Sequence, residues 1–207
     1  MTGRKKKQRL ARAAHGLVPA LTAAIAIAMA GGAHAQNVTY RQFTLGVLDH
    51  DVHFLEGKEG GVDINPEFKL ESPISDAWTA QLPWYLRYFV QPRPTIGGEA
   101  NTAGFTNEFY FGGTWTWQLA QRLLSPDDGI TFGIFWGPGF NDGLIVSNVP
   151  DRKSLGSHVL YREALELGYQ INSRFEVSVF IDHVSNAGSA RYNQSINDAG
   201  GRFSVRF

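Results

Sequence analysis

From Gln42 to Phe207, apolar side chains alternate with polar or small ones in segments separated by turn-forming residues. Side chains that leave the backbone on opposite faces in turn are the mark of a β-strand, and about ten residues per segment suffices for a tilted strand to cross a bilayer. Eight segments can be counted. Phe43, Leu45 and Val47 carry the apolar face of the first, and Val62, Ile64, Phe68 and Leu70 that of the second, against Asp63, Asn65, Glu67 and Lys69. The third sets Ile96 and Ala100 against Arg93, Thr95, Glu99 and Asn101, and the fourth sets Phe105, Phe109, Phe111, Trp115 and Trp117 against Thr106, Glu108, Thr114 and Thr116. Ile130, Phe132, Ile134, Trp136 and Phe140 form one face of the fifth. In the sixth, Val159, Tyr161, Leu165, Leu167 and Tyr169 oppose His158, Arg162, Glu166 and Gln170. Phe175, Val177, Val179 and Ile181 mark the seventh, and Phe203, Val205 and Phe207 the eighth.

A soluble sandwich would bury the apolar face and leave the other in water. Here one face is rich in exposed-type aromatics while the other carries many charges. An eight-stranded antiparallel transmembrane β-barrel accommodates both, with aromatics towards lipid and polar groups inside, and closure removes the strand edges that hydrocarbon penalises. With the N-terminus in the periplasm, segments 49–60, 141–156 and 185–196 face the cell exterior. Residues 72–91 then lie on the periplasmic side, where Trp78, Trp84, Tyr85, Tyr88 and Phe89 suggest a segment at the membrane interface. Pro73, Pro83 and Pro92 argue against an extra strand pair there.

The first residues give the reason such a barrel could leave the cytoplasm. Arg4, Lys5, Lys6, Lys7, Arg9 and Arg12 precede an apolar stretch from Leu17 to Ala30, followed by Ala33-His34-Ala35. That order predicts a signal peptide over residues 1–35 and a barrel domain over 36–207. Processing would leave 13 basic residues against 19 acidic ones, a net charge of −6. This excludes the basic footprint of a nucleic-acid binder. The chain has no cysteine, so burial and hydrogen bonding must hold it together.

Chemistry is expected where the alternation is broken. Continuing the lipid-facing parity of the seventh segment past Ile181 reaches His183 and Ser185. Counting back along the eighth from Phe207 reaches Asn197 on the same face, while Asp198 has the inward parity. A histidine base and a serine hydroxyl two residues apart on one face, with a third group to orient the ring, have the logic of an activated nucleophile.

The run His183-Val184-Ser185-Asn186-Ala187-Gly188, followed by Asn193, resembles the corresponding motif of the lipid A 3-O-deacylase (PagL) family. Gly139-Phe140-Asn141-Asp142-Gly143 and the stretch from Arg162 to Tyr169 are similar to segments of related proteins. The resemblance implies an outer-membrane esterase that removes the 3-O-linked acyl chain of lipid A without metal or other cofactor. It makes His183 the general base and Ser185 the nucleophile, with Asn193, Asn186 or the amide around Gly188 as oxyanion donors. The family's third member is acidic, whereas the matching position here is Asn197. An amide can orient the imidazole but cannot balance its charge, and in a serine hydrolase such an exchange can cost ~10⁴-fold in turnover.

Glu163 offers a carboxylate nearby. It lies on the lipid-facing parity of the sixth segment, and a turn at Asn172 and Ser173 that keeps outward parity on both strands sets it beside His183. His50 and His53, with Asp49 and Asp51, could be read as metal ligands, but loop polarity is the better account of them and no metal is expected. The partner expectations are lipid A or lipopolysaccharide and the membrane, with a homodimer as an open alternative and no nucleic acid. A catalytically silent structural or lipid-binding barrel is the competing function, and a passive channel is disfavoured because eight strands enclose little more than their own side chains.

Overall fold

The computed structural model describes residues 40–52 and 57–207, and the side chains of Trp84, Tyr85 and Tyr88 are outside the description. The expected signal peptide and His53 also lie outside the described residues. Eight antiparallel strands form one closed barrel in sequence order: β1 (Gln42–Asp49), β2 (Val62–Lys69), β3 (Arg93–Asn101), β4 (Glu108–Gln121), β5 (Gly129–Asn141), β6 (Val159–Gln170), β7 (Phe175–Ser185) and β8 (Ala199–Arg206). Closure comes from β1 pairing with β8, from Gln42 opposite Arg206 to Asp49 opposite Ala199. The upper end carries connections 50–61, 102–107, 142–158 and 186–198, the end that an N-terminus in the periplasm assigns to the cell exterior.

The period of two sorts the side chains as the sequence suggested. Phe43, Leu45, Val47, Phe109, Phe111, Trp136, Val177, Val179 and Phe203 are exposed on the outer wall, where lipid would cover them. Thr44, Asp63, Asn65, Glu67, Lys69, Arg93, Arg162, Arg202 and Ser204 are buried inside. One departure stands out. Phe105, expected in the fourth strand, lies in the β3–β4 turn and stacks on His50 at 6.5 Å. Residues 72–91 contain two short helices, α1 (Asp76–Thr79) and α2 (Trp84–Phe89), rather than strands. The Trp115 indole N–H donates to the Phe89 carbonyl at 3.0 Å, which fastens the end of α2 to the outer wall of β4.

Charges inside the wall are held in pairs. Arg162 donates to Glu99 at 2.6 and 2.9 Å and to Glu108 at 2.6 Å, pairs with Asp182, and lies 4.0 Å over the Tyr110 ring. Lys69 reaches Glu166 at 2.7 Å and Arg202 reaches Glu67 at 2.5 Å. Tyr110 packs edge-on against Phe135 at 5.2 Å and fills the centre. Gly97 makes room for it, since a Cβ there would fall 2.5 Å from the phenol ring. A void of about 10 Å³ remains between Glu67, Phe135, Phe180 and Arg202, at most a single water's worth of space. The described lumen is therefore packed at this level.

At the upper end, Glu59 ties three connections together. It accepts from the Thr106 hydroxyl at 2.7 Å and backbone N–H at 3.1 Å, and from the Lys153 backbone N–H at 2.9 Å. His50 reaches Asp63 at 2.7 Å and Glu59 at 3.4 Å. Burial works against a charged His50, but the hydrogen bonds to Asp63 and Glu59 outweigh it and raise its pKa to about 9. Burial likewise pushes Glu59 up, and the hydrogen bonds from His50, Lys153 and Thr106 outweigh that and bring it down to about 2.

Two outcomes follow. Arg162→Ala strips Glu99, Glu108 and Asp182 of their shared counter-charge and should lose about 3–5 kcal/mol, seen as a lower urea midpoint for the barrel refolded in lipid. An unfolded histidine releases its proton near 6.5, below the folded value of about 9, so the stability from His50 is complete below pH 6.5 and disappears as pH rises towards 9. The thermal midpoint in detergent should fall across that window by the equivalent of on the order of 3 kcal/mol. The fall should be absent in His50→Gln.

Candidate active site

His183 and Ser185 sit at the upper end of β7, on the outer wall. Val184, between them, turns inward and packs with Leu155, Leu160 and Ile196 in a buried apolar cluster. The inner face of this strand end is thus anchored in a core while its outer face is left for polar side chains. Pairing with the β8 side continues above Ala199: Val184 and Ile196 exchange two backbone hydrogen bonds of 2.9 and 3.0 Å. That register brings Asn197 directly across from His183. On the other flank, the β6–β7 ladder sets Glu163 opposite His183 and Tyr161 opposite Ser185.

The imidazole bridges two partners. Nδ1 lies 2.7 Å from Asn197 Oδ1, and Nε2 lies 3.1 Å from Ser185 Oγ. With Nδ1–H donating to the amide oxygen, the Nε2 lone pair is free to receive the serine proton, which is the tautomer a general base needs. Asn197 is itself buried, and its carbonyl accepts from the Val52 N–H at 2.8 Å. Val52 belongs to the first upper connection, so that connection supports the residue that orients His183. Glu163 makes no hydrogen bond to the ring, because both nitrogens are taken, and its carboxylate stands exposed on the outer wall.

The motif after Ser185 forms a tight turn. The Ser189 N–H donates to the Asn186 carbonyl at 2.9 Å, and the two residues between, Ala187 and Gly188, have φ of 51° and 80°. Both central residues at positive φ is the pattern of a type I′ turn, and a non-glycine there is strained. Asn186 holds it in place. Its buried amide group donates to the Leu155 and Tyr192 carbonyls, and its Oδ1 accepts from the Gly188 N–H at 2.9 Å. The expected oxyanion donors at Asn186 and Gly188 are therefore committed to building the turn. The Asn186 backbone N–H is committed as well, to Asn193 Oδ1 at 3.1 Å. The same contact leaves the Asn193 amide group without a partner among the described residues, and the Ala187 N–H, which sequence reasoning did not single out, is likewise free among them.

The turn borders an open cleft of about 470 Å³ lined by Trp136, Tyr161, Glu163, His183, Ser185 and residues 186–189. Trp136 and Tyr161 stack at 6.5 Å and form its apolar side. The cleft opens on the outer wall of the barrel, so a molecule lying among lipids reaches Ser185 without entering the lumen.

Donor atoms close enough to hold a metal ion occur elsewhere, inside the barrel: His50, Asp63 and Asp198 form one group and Glu99, Asp182 and Asp198 another. Arg162 already pairs with two of these carboxylates, and both nitrogens of His50 are engaged by Asp63 and Glu59. The arrangement is that of a buried ion-pair cluster. Sequence reading could not assemble it, because its members come from five separate strands or connections.

A family model described as lipid A 3-O-deacylase (PagL) matches residues 77–206, more than half of the chain and including every residue of the cleft. A solved structure described as the outer membrane enzyme PagL superimposes with a TM-score of 0.56 at 14% identity, covering 79% of this chain and 98% of that one. A second, a NanC porin in a rhombohedral crystal form, covers 80% of this chain and 98% of its own at 15% identity, with a TM-score of 0.28 that is too low to bear on the fold. No curated relative matches the sequence. The matched span, taken with the eight-stranded outer-membrane barrel, decides the assignment: this chain belongs to the lipid A 3-O-deacylase (PagL) family.

Proposed function

We propose that this protein is an outer-membrane esterase that hydrolyses the ester-linked acyl chain at position 3 of lipid A. The observation that carries the reading is the 3.1 Å contact between His183 Nε2 and Ser185 Oγ on the lipid-facing wall. Lipid A lies in the outer leaflet, and a nucleophile facing hydrocarbon at the upper end of the barrel meets an acyl ester at that depth. The same reading has residues 1–35 removed on export, leaving 36–207 as the barrel.

In this mechanism Ser185 Oγ attacks the ester carbonyl while its proton passes to His183 Nε2. Asn197 Oδ1 accepts from Nδ1–H throughout and keeps the ring aimed at the serine. The negative oxygen of the tetrahedral intermediate is met by the amide of Asn193 and the N–H of Ala187. Collapse breaks the bond to the sugar oxygen, which takes the proton from His183 and leaves as the free hydroxyl. Water, deprotonated by His183, then attacks the acyl-Ser185 ester, and the fatty acid departs as Ser185 regains its proton. The stacked Trp136 and Tyr161 offer an apolar wall for the acyl chain beside the carbonyl.

Mass spectrometry of lipid A from cells expressing the wild type should show loss of one 3-O-linked acyl chain, and Ser185→Ala should abolish it, a drop of at least ~10³-fold in turnover. Identical lipid A from both strains would replace this reading with a catalytically silent barrel.

A further inference from the structure

When Ser185 gives up its proton, His183 becomes an imidazolium at the edge of hydrocarbon. Its ring partner Asn197 is neutral: it fixes the direction of Nδ1–H but brings no opposite charge to balance the new one. A charge formed in a poorly solvated place needs an opposite charge nearby. The one carboxylate in the cleft is Glu163.

Its placement is unusual for this barrel. The other acidic residues of β6 and β7, Glu166, Glu176 and Asp182, point inward and are ion-paired with Lys69, Arg206 and Arg162. Glu163 points outward, and no ion pair involves it among the described residues. The neighbouring cation, Arg162, faces the interior and is shared by Glu99, Glu108 and Asp182. An unpaired carboxylate on a lipid-facing wall is a cost to the fold. It stands directly across the ladder from His183, where facing side chains have Cβ atoms about 4.5–5.5 Å apart.

We propose that Glu163 is the charge partner of His183. The task given elsewhere to one acidic residue is divided here between two neighbours on opposite flanks: Asn197 orients the imidazole and Glu163 stabilises it once protonated. Glu163 is thus a positioning residue acting through His183, and it does so through space, since both ring nitrogens are occupied. At roughly 6 Å and an effective dielectric constant of about 20, the attraction corresponds to about 100-fold in rate.

The inference rests on the deacylase reading, and the test separates the two. Wild type, Ser185→Ala, Glu163→Gln, Glu163→Asp and the double variant Glu163→Gln with Asn197→Asp are refolded and assayed on lipid A in mixed micelles. Heat-modifiable gel mobility counts the folded barrel in each sample, so that rates are expressed per folded molecule. Glu163→Gln should lower kcat about 10- to 100-fold with KM changed by less than about 2-fold, because the interaction exists only after proton transfer. Glu163→Asp should retain most of kcat. Asn197→Asp should restore activity to Glu163→Gln by returning a carboxylate to the ring. A Glu163→Gln enzyme with wild-type kcat, a change confined to KM, or a double variant no better than Glu163→Gln overturns the charge partnership. A wild type no more active than Ser185→Ala overturns the deacylase reading, and the partnership with it.

Discussion

Hydrocarbon offers no partner to a backbone N–H or C=O, and this single condition shapes the molecule. Eight strands meet it only by closing, β1 on β8, so that no edge is left open. Closure fixes the tilt and curvature of the wall and gives every residue one of two fates, outward to lipid or inward to a narrow lumen. Polar side chains sent inward must satisfy one another, which explains why Arg162, Arg202 and Lys69 each meet carboxylates contributed by other strands. The outer wall has no such requirement, and a polar residue there stands out.

The cleft uses the same lattice. His183, Asn197 and Glu163 come from three neighbouring chain segments, and the ladder hydrogen bonds on either side of β7 set their spacing. Side chains held on strands are positioned more firmly than side chains on loops. Where the site does use a loop, the turn after Ser185, Asn186 stabilises the strained φ of Ala187 with hydrogen bonds on both ends of its amide. The Val184 cluster beneath and the Val52 contact to Asn197 extend this support into the barrel and its first upper connection.

Much of this was legible in the order of residues. The period of two assigned inside and outside for each strand, and a turn at Asn172 and Ser173 was enough to align Glu163 with His183. Parity alone set Asn197 on the side of His183 and Asp198 on the other, where it accepts from the Asp51 N–H. Other features were hidden because they depend on contacts far apart in the chain. The irregularity in β4 between Gln118 and Ala120 has no local signature. Phe105 continues the alternation of the fourth strand, yet the turn takes it to His50. Asn186 has the chemistry of an oxyanion donor, and only the arrival of the carbonyls of Leu155 and Tyr192 commits it to a structural role.

The packed interior has a consequence for the cell that carries such a barrel. With the centre occupied by Tyr110, Phe135, Phe180 and the arginines laid over them, the described residues leave solutes no path through the lumen at that level. Such a barrel can present a cleft on its outer wall without opening the envelope at that level.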